Sequence, residues 1–248
     1  PVTADAVFFD LPFVGLIVYP ESWVLPIAIV GLLLVGAAVV QLARDGTRWI
    51  RDVTSGAVGT IVSMCAAAGV ALGVGNLIVR THDAMGWGGA PMFRGVYTAV
   101  LALIALAIAL AFWALVRRWA TLPGAHVGAL VVWAIATLII SLKLPGVSFL
   151  FAGPLIAGLL ATRRMSPAPA GTASRERPPW TVSSDALLWI ATAVAAAIIV
   201  STVYALTSIL LGAVGPGAIA GGALVSLLAW LLAPQMEALG GRRRAAGR

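Results

Sequence analysis

Residues Trp23–Ala43 read WVLPIAIVGLLLVGAAVVQLA, a run of 21 residues without a single charge. About 20 predominantly apolar residues, wound as a helix, cross the roughly 30 Å of bilayer hydrocarbon. A second run, Val96–Val116 (VYTAVLALIALAIALAFWALV), has the same length and the same lack of charge. Only an α-helix or a closed barrel satisfies every backbone N–H and C=O inside lipid. Barrel strands would alternate over segments of about 10 residues, whereas these runs are unbroken. The expectation is an all-α, polytopic membrane domain.

Composition agrees. Hydrophobic residues make up 61% of the 248-residue chain, charged residues 10%, and the mean hydropathy is +1.03. A water-soluble domain carries about 25% charged residues to cover its surface, so lipid is the solvent this chain suits. Working outward from the first run, five further stretches complete a set of about seven transmembrane helices: Thr54–Val79, Val127–Leu142, Val147–Ala161, Ala186–Leu206 and Gly212–Leu232. The fourth and fifth are the shortest and are joined by Lys143-Leu144-Pro145-Gly146, a turn with two helix breakers. Two full spans are expected there; a pair of re-entrant half-helices is the alternative.

The domain organisation follows. Residues 1–21 form an extracytoplasmic lead-in, and 22–162 a five-helix block. Residues 163–183 form a polar loop containing Ser166–Pro179 (SPAPAGTASRERPP), 184–233 a two-helix block, and 234–248 a basic tail. Ser183-Ser184-Asp185 supplies oxygens that can cap the sixth span. Arginine and lysine give the orientation, because cytoplasmic loops are enriched in them. Alternate loops receive 13 of the 16 on one side and only Arg80, Arg94 and Lys143 on the other. The richer side is expected to be cytoplasmic, with the N-terminus outside and the C-terminus inside. The net charge of +7 sits at span ends, so it predicts topology and no nucleic-acid partner. There is no initiator Met and no basic leader before an apolar core, and the chain reads as part of something longer.

Chemistry is sparse. Ionisable residues inside spans mark relays and substrate paths, but Asp45, Asp52, Asp83, Asp185 and Glu237 all fall at ends or in loops. Mid-span polarity is limited to groups such as Ser63, Asn76, Thr137, Ser201 and Thr202, which suit hydrogen bonds between helices or back to a helical carbonyl. No H-E-x-x-H occurs, no Asp pair lies within the spans, and no nucleophile turn faces His126 near the start of the fourth. His82-Asp83 reads as a solvated loop pair, and the lone Cys65 forms no internal disulfide. No catalytic, cofactor or metal residue is expected in this chain. Gly69/Gly73 and Gly217/Gly221 have the G-x-x-x-G spacing that allows close helix packing; plain glycine richness is the alternative.

Two segments resemble a known family. The first is Asp5-Ala6-Val7-Phe8-Phe9-Asp10-Leu11 followed by Val18-Tyr19-Pro20. The second is Leu144-Pro145-Gly146-Val147-Ser148-Phe149-Leu150-Phe151-Ala152-Gly153-Pro154-Leu155-Ile156. Together they resemble the membrane region behind the catalytic domain of membrane-bound M28-type zinc peptidases, a group that includes the endoplasmic reticulum and vacuolar membrane types and bacterial relatives. The chain departs from that pattern at Pro12-Phe13, Phe149 and Gly153. The resemblance extends from Asp5 to about Ala161 and fades after the 166–179 loop.

It implies a membrane-anchoring domain in a bacterial cytoplasmic membrane, whose zinc aminopeptidase domain lies upstream. Zinc is then expected only in that upstream domain, which is the implied partner besides the bilayer. Phe9, Asp10, Tyr19 and Pro20 are expected at the joint between the two, though the FFDL segment could instead skim the interface. Pro145, Gly146, Ser148 and Pro154 are expected to shape the fourth-to-fifth hairpin, with a simple kinked helix as the alternative. A small-molecule transporter or channel, and a structural membrane module, are the rival functions; the first needs a polar midplane cavity.

Overall fold

The computed structural model describes residues 6–11, 15–46, 48–81, 94–145, 148–165 and 216–246. Strands β1 (Ala6–Leu11) and β2 (Gly15–Pro20) lead through a short 3-10 turn, Glu21–Trp23, into α1 (Val24–Asp45). Then follow α2 (Trp49–Thr81), α3 (Arg94–Val116), α4 (Leu122–Lys143), α5 (Phe149–Met165) and α6 (Pro216–Ala246). Four stretches are long and apolar enough to cross a membrane: Glu21–Arg44, Trp49–Leu77, Ala99–Val116 and Leu122–Lys143. Two shorter apolar segments, Phe151–Leu160 in α5 and Ala220–Pro234 in α6, pack beside them. The predicted sixth span, its cap, the 166–179 loop and His82-Asp83 lie outside the described residues.

The structure adds four observations to these expectations. The lead-in, expected only as an approach to the first span, holds a hairpin: β1 and β2 pair antiparallel from Ala6↔Pro20 to Leu11↔Gly15, ahead of an all-helical body. Both runs are short and rich in Val, Ile, Phe and Tyr, residues that suit a pleated ladder. The fourth helix begins at Leu122, five residues earlier than expected, and its 22 residues reach about 33 Å at 1.5 Å per residue. That length excludes a re-entrant half-helix for α4. Pro123 sits in the first turn, where its missing N–H costs nothing. The basic tail is also helical, as α6 continues to Ala246. Gly69 and Gly73 are exposed among the described residues, and a Cβ added to either would meet no described atom within 4 Å.

Close packing occurs at other glycines. A Cβ on Gly56 would collide with the Ala125 backbone, one on Gly128 with Val53 O, and one on Gly124 with the Asp52 side chain. Thus α2 and α4 run parallel, nearly backbone to backbone. Near-contact of Gly222 with Ala67 and the Ser63–Ser226 bond show α6 running antiparallel to α2.

The core sits between α4 and α6. It joins Val35, Leu130, Trp133, Leu155, Leu227 and Leu231, and a second cluster gathers Trp113, Val116, Ala125, Ala129 and Trp230. Over its spanning stretch α4 is 56% buried against 22–28% for α1, α2 and α3, so α4 is the central helix. The outward faces carry Leu33, Leu103 and Ile139, each more than half exposed. Leaving one such side chain in water forgoes about 1.5–3 kcal/mol of burial. Contiguous apolar surface of this kind marks contact with membrane or partner.

Candidate functional site at the hairpin end of the bundle

Helix directions decide which ends meet. Asp52 accepts hydrogen bonds from Thr121 N, at 3.2 Å, and from Thr121 Oγ1, so α2 and α4 start at the same end. The link between α1 and α2 is three residues long and that between α4 and α5 five; neither can cross the bundle. Therefore α1 and α5 both begin at the opposite end. Gly31 of α1 lies against Leu155 of α5, as this arrangement requires.

That end collects the motif residues. Tyr19 pairs with Val7, Phe9 with Ile17 and Asp10 with Leu16 in the hairpin ladder. Pro20, at φ −62° and ψ 139°, turns the chain from strand into the 3-10 turn. The α4–α5 connection lies at the same end. Ser148 is buried, donates its hydroxyl to Pro145 O at 2.7 Å, and its backbone N bonds the same carbonyl at 3.2 Å. Ser148 O in turn accepts from Phe151 N and Ala152 N, so this one residue closes the turn and starts α5. Pro154 lies buried inside α5, where it withholds the N–H that Leu150 O would otherwise accept. Trp133 donates its indole N–H to Phe151 O at 2.6 Å and packs on the Phe151 ring at 5.4 Å. Gly146 lies outside the described residues. Residue patterns do not point to Trp133; its mid-helix position gives no reason to expect an indole aimed at the next helix.

The other end is held by charge. Arg117 grips Glu237 through Nη2 at 2.8 Å and Nε at 3.0 and 3.1 Å, and gives Nη1 to Ala120 O. Trp113 adds its indole N–H to Glu237 at 3.2 Å. The Arg117 hydrogen bonds hold the Glu237 carboxyl below its ordinary value; partial burial works against them, and Arg117's charge and the Trp113 bond add to the lowering. The Trp113 ring meets Trp230 edge to face at 5.2 Å. This node fastens α6 to the α3–α4 turn.

Between the ends, polar side chains form a buried seam. Thr60 donates to Gly56 O at 2.8 Å, Ser63 to Thr60 O at 2.9 Å, and Thr137 to Trp133 O at 2.8 Å. Ser63 and Ser226 share a bond of 2.9 Å across helices α2 and α6. His126 is fully buried on α4 with Nε2 3.0 Å from Gly158 O. A carbonyl only accepts, so Nε2 carries the proton, and Nδ1 meets no partner among the described residues. Asn76 and Cys65 face outward. Gly217 lies in the first turn of α6 and Gly221 is buried there. Among the described residues no three His, Cys, Asp or Glu side chains come together to hold a metal.

No family model, no curated protein and no solved structure matches this chain. The class is set by the fold itself: four membrane-length apolar helices define a helical integral membrane protein.

Proposed function

We propose that this chain is the membrane-anchoring domain of an M28-like zinc peptidase, with the catalytic domain ahead of residue 1. One observation carries the reading. The two sequence blocks that resemble that family lie far apart in the chain, yet the helix directions put both at one end of the bundle. A soluble domain fused to β1 would sit over Pro20 and the Pro145–Ser148 turn.

The arginine-rich loops gather at the opposite end. Arg44, Arg48, Arg51, Arg117 and Arg118 flank the α1–α2 link and the α3–α4 turn, and such clusters favour the cytoplasm. The hairpin end then faces outward. Helices α5 and α6 both finish at the arginine-rich end. A crossing by the predicted span Ala186–Leu206 makes seven helices.

Zinc belongs to the upstream domain in this reading. The residues described here do not fit it, and no catalytic step is assigned to them. The rival transporter reading draws no support from the seam, whose hydroxyls are engaged with carbonyls or with each other. The test is the natural gene product, purified whole in detergent. The proposal expects zinc-dependent aminopeptidase activity that a chelator abolishes and zinc restores. A reading frame that opens at residue 1, or a whole product without peptidase activity, would overturn it.

A further inference from the structure

The arginine-rich end of the bundle has an uneven division of charge. Its two carboxylates with described surroundings are both already engaged by protein donors. Asp52 is buried and accepts from Thr121 N and Oγ1. Glu237 is held by Arg117 and Trp113, and Arg117–Glu237 is the one ion pair among the described residues. Arg48, Arg51 and Arg118 are left exposed, with no described carboxylate in reach. They stand on adjoining elements, because Asp52 ties the start of α2 to the turn that carries Arg118.

Aromatic and apolar side chains accompany them. Trp119 is 56% exposed and Ile50 62%, while Trp49 is half-buried. Indoles in this position lie at headgroup depth, partly wet and partly in hydrocarbon. Guanidinium groups beside them present forked donors that match phosphate oxygens. A cationic patch on a soluble protein would not need an apolar floor leading directly into membrane-spanning helices.

We infer that Arg48, Arg51 and Arg118, with Trp49 and Trp119, form a binding surface for the headgroup of an anionic phospholipid. The lipid's phosphate meets the guanidinium groups, and its acyl chains lie along the outward faces of α2 and α3. The site is independent of any peptidase, since it uses only this chain and the bilayer.

The test is native mass spectrometry of the whole protein in neutral detergent, titrated with phosphatidylglycerol or phosphatidylcholine. The wild type is expected to bind phosphatidylglycerol preferentially. Each basic residue near an anionic lipid surface contributes about fivefold in affinity. The R48Q/R51Q/R118Q variant should therefore lose roughly a hundredfold, while R48K/R51K/R118K keeps most of the preference, and R80Q, at the other end of α2, keeps all of it. Equal binding of both lipids by the wild type would overturn the proposal, as would an undiminished preference in the triple Gln variant. Binding of inorganic phosphate alone, with loss of bound lipid, would assign the patch to free phosphate instead and equally overturn it.

Discussion

Gly128 does more for this bundle than its lack of a side chain suggests. With Gly56 and Gly124 it brings two helix backbones into contact, and the dense packing of protein interiors leaves no room for an added methyl group. Gly128→Val is expected to destabilise the purified protein by about 1–3 kcal/mol or more, read as a fall in thermal unfolding temperature in detergent. Gly69→Val, on an outward face, should leave that temperature almost unchanged. Equal losses would mean that the packed face has been misassigned. The shared G-x-x-x-G spacing of Gly69/Gly73 and Gly124/Gly128 is visible in the chain, but which pair packs is not. That depends on which helix face the rest of the bundle covers.

Glu237 permits a second prediction at this scale. Its carboxyl is held below the ordinary value of 4.5, chiefly by the Arg117 hydrogen bonds. A depressed folded value means the contribution is fully present above about pH 4.5 and fades as pH falls through the folded value. Thermal stability of the wild type should therefore drop more between pH 7 and pH 3 than that of Glu237→Gln. Identical pH profiles would show that the node contributes nothing. Exposure of the pair keeps the effect small.

Among the elements, the α4–α5 hairpin is the one whose construction is most legible in the sequence. Pro145 and Ser148 read as a shaped turn, and both take part in it. The start of α4 is less legible, because Pro123-Gly124 reads as a break unless one asks whether a proline stands in a first turn. The β-hairpin is hidden for a different reason. Two six-residue runs separated by three residues carry a strand signal, yet beside a long membrane span they read as its approach. The pin between α4 and α5 is Trp133, whose indole bonds Phe151 O. Trp133→Phe keeps most of the ring and loses the donor, and should cost about 0.5–1.5 kcal/mol. A double-mutant cycle of Ser63→Ala and Ser226→Ala should give a coupling of about 0.6 kcal/mol, the usual size for hydrogen bonds between membrane helices. Zero coupling would leave the seam without energetic weight.

For the whole molecule, composition decides the solvent, and the structure decides which ends meet. Apolar runs announce most helices, while their neighbours in space stay hidden, since lipid-facing and core-facing positions are equally greasy here. The family-like blocks carry no information about their proximity; that emerges from helix directions alone. The central claim is that the hairpin and the arginine-rich loops mark opposite faces of one membrane-spanning bundle, with the hairpin outside. Its most direct measurement is cysteine labelling in intact cells, in a Cys65→Ala background, with a reagent that does not cross the membrane. Ser22→Cys, beside the hairpin, is expected to label and Gly46→Cys, between α1 and α2, to label only after the cells are opened. Labelling of both from outside, or of Gly46→Cys alone, would contradict the account.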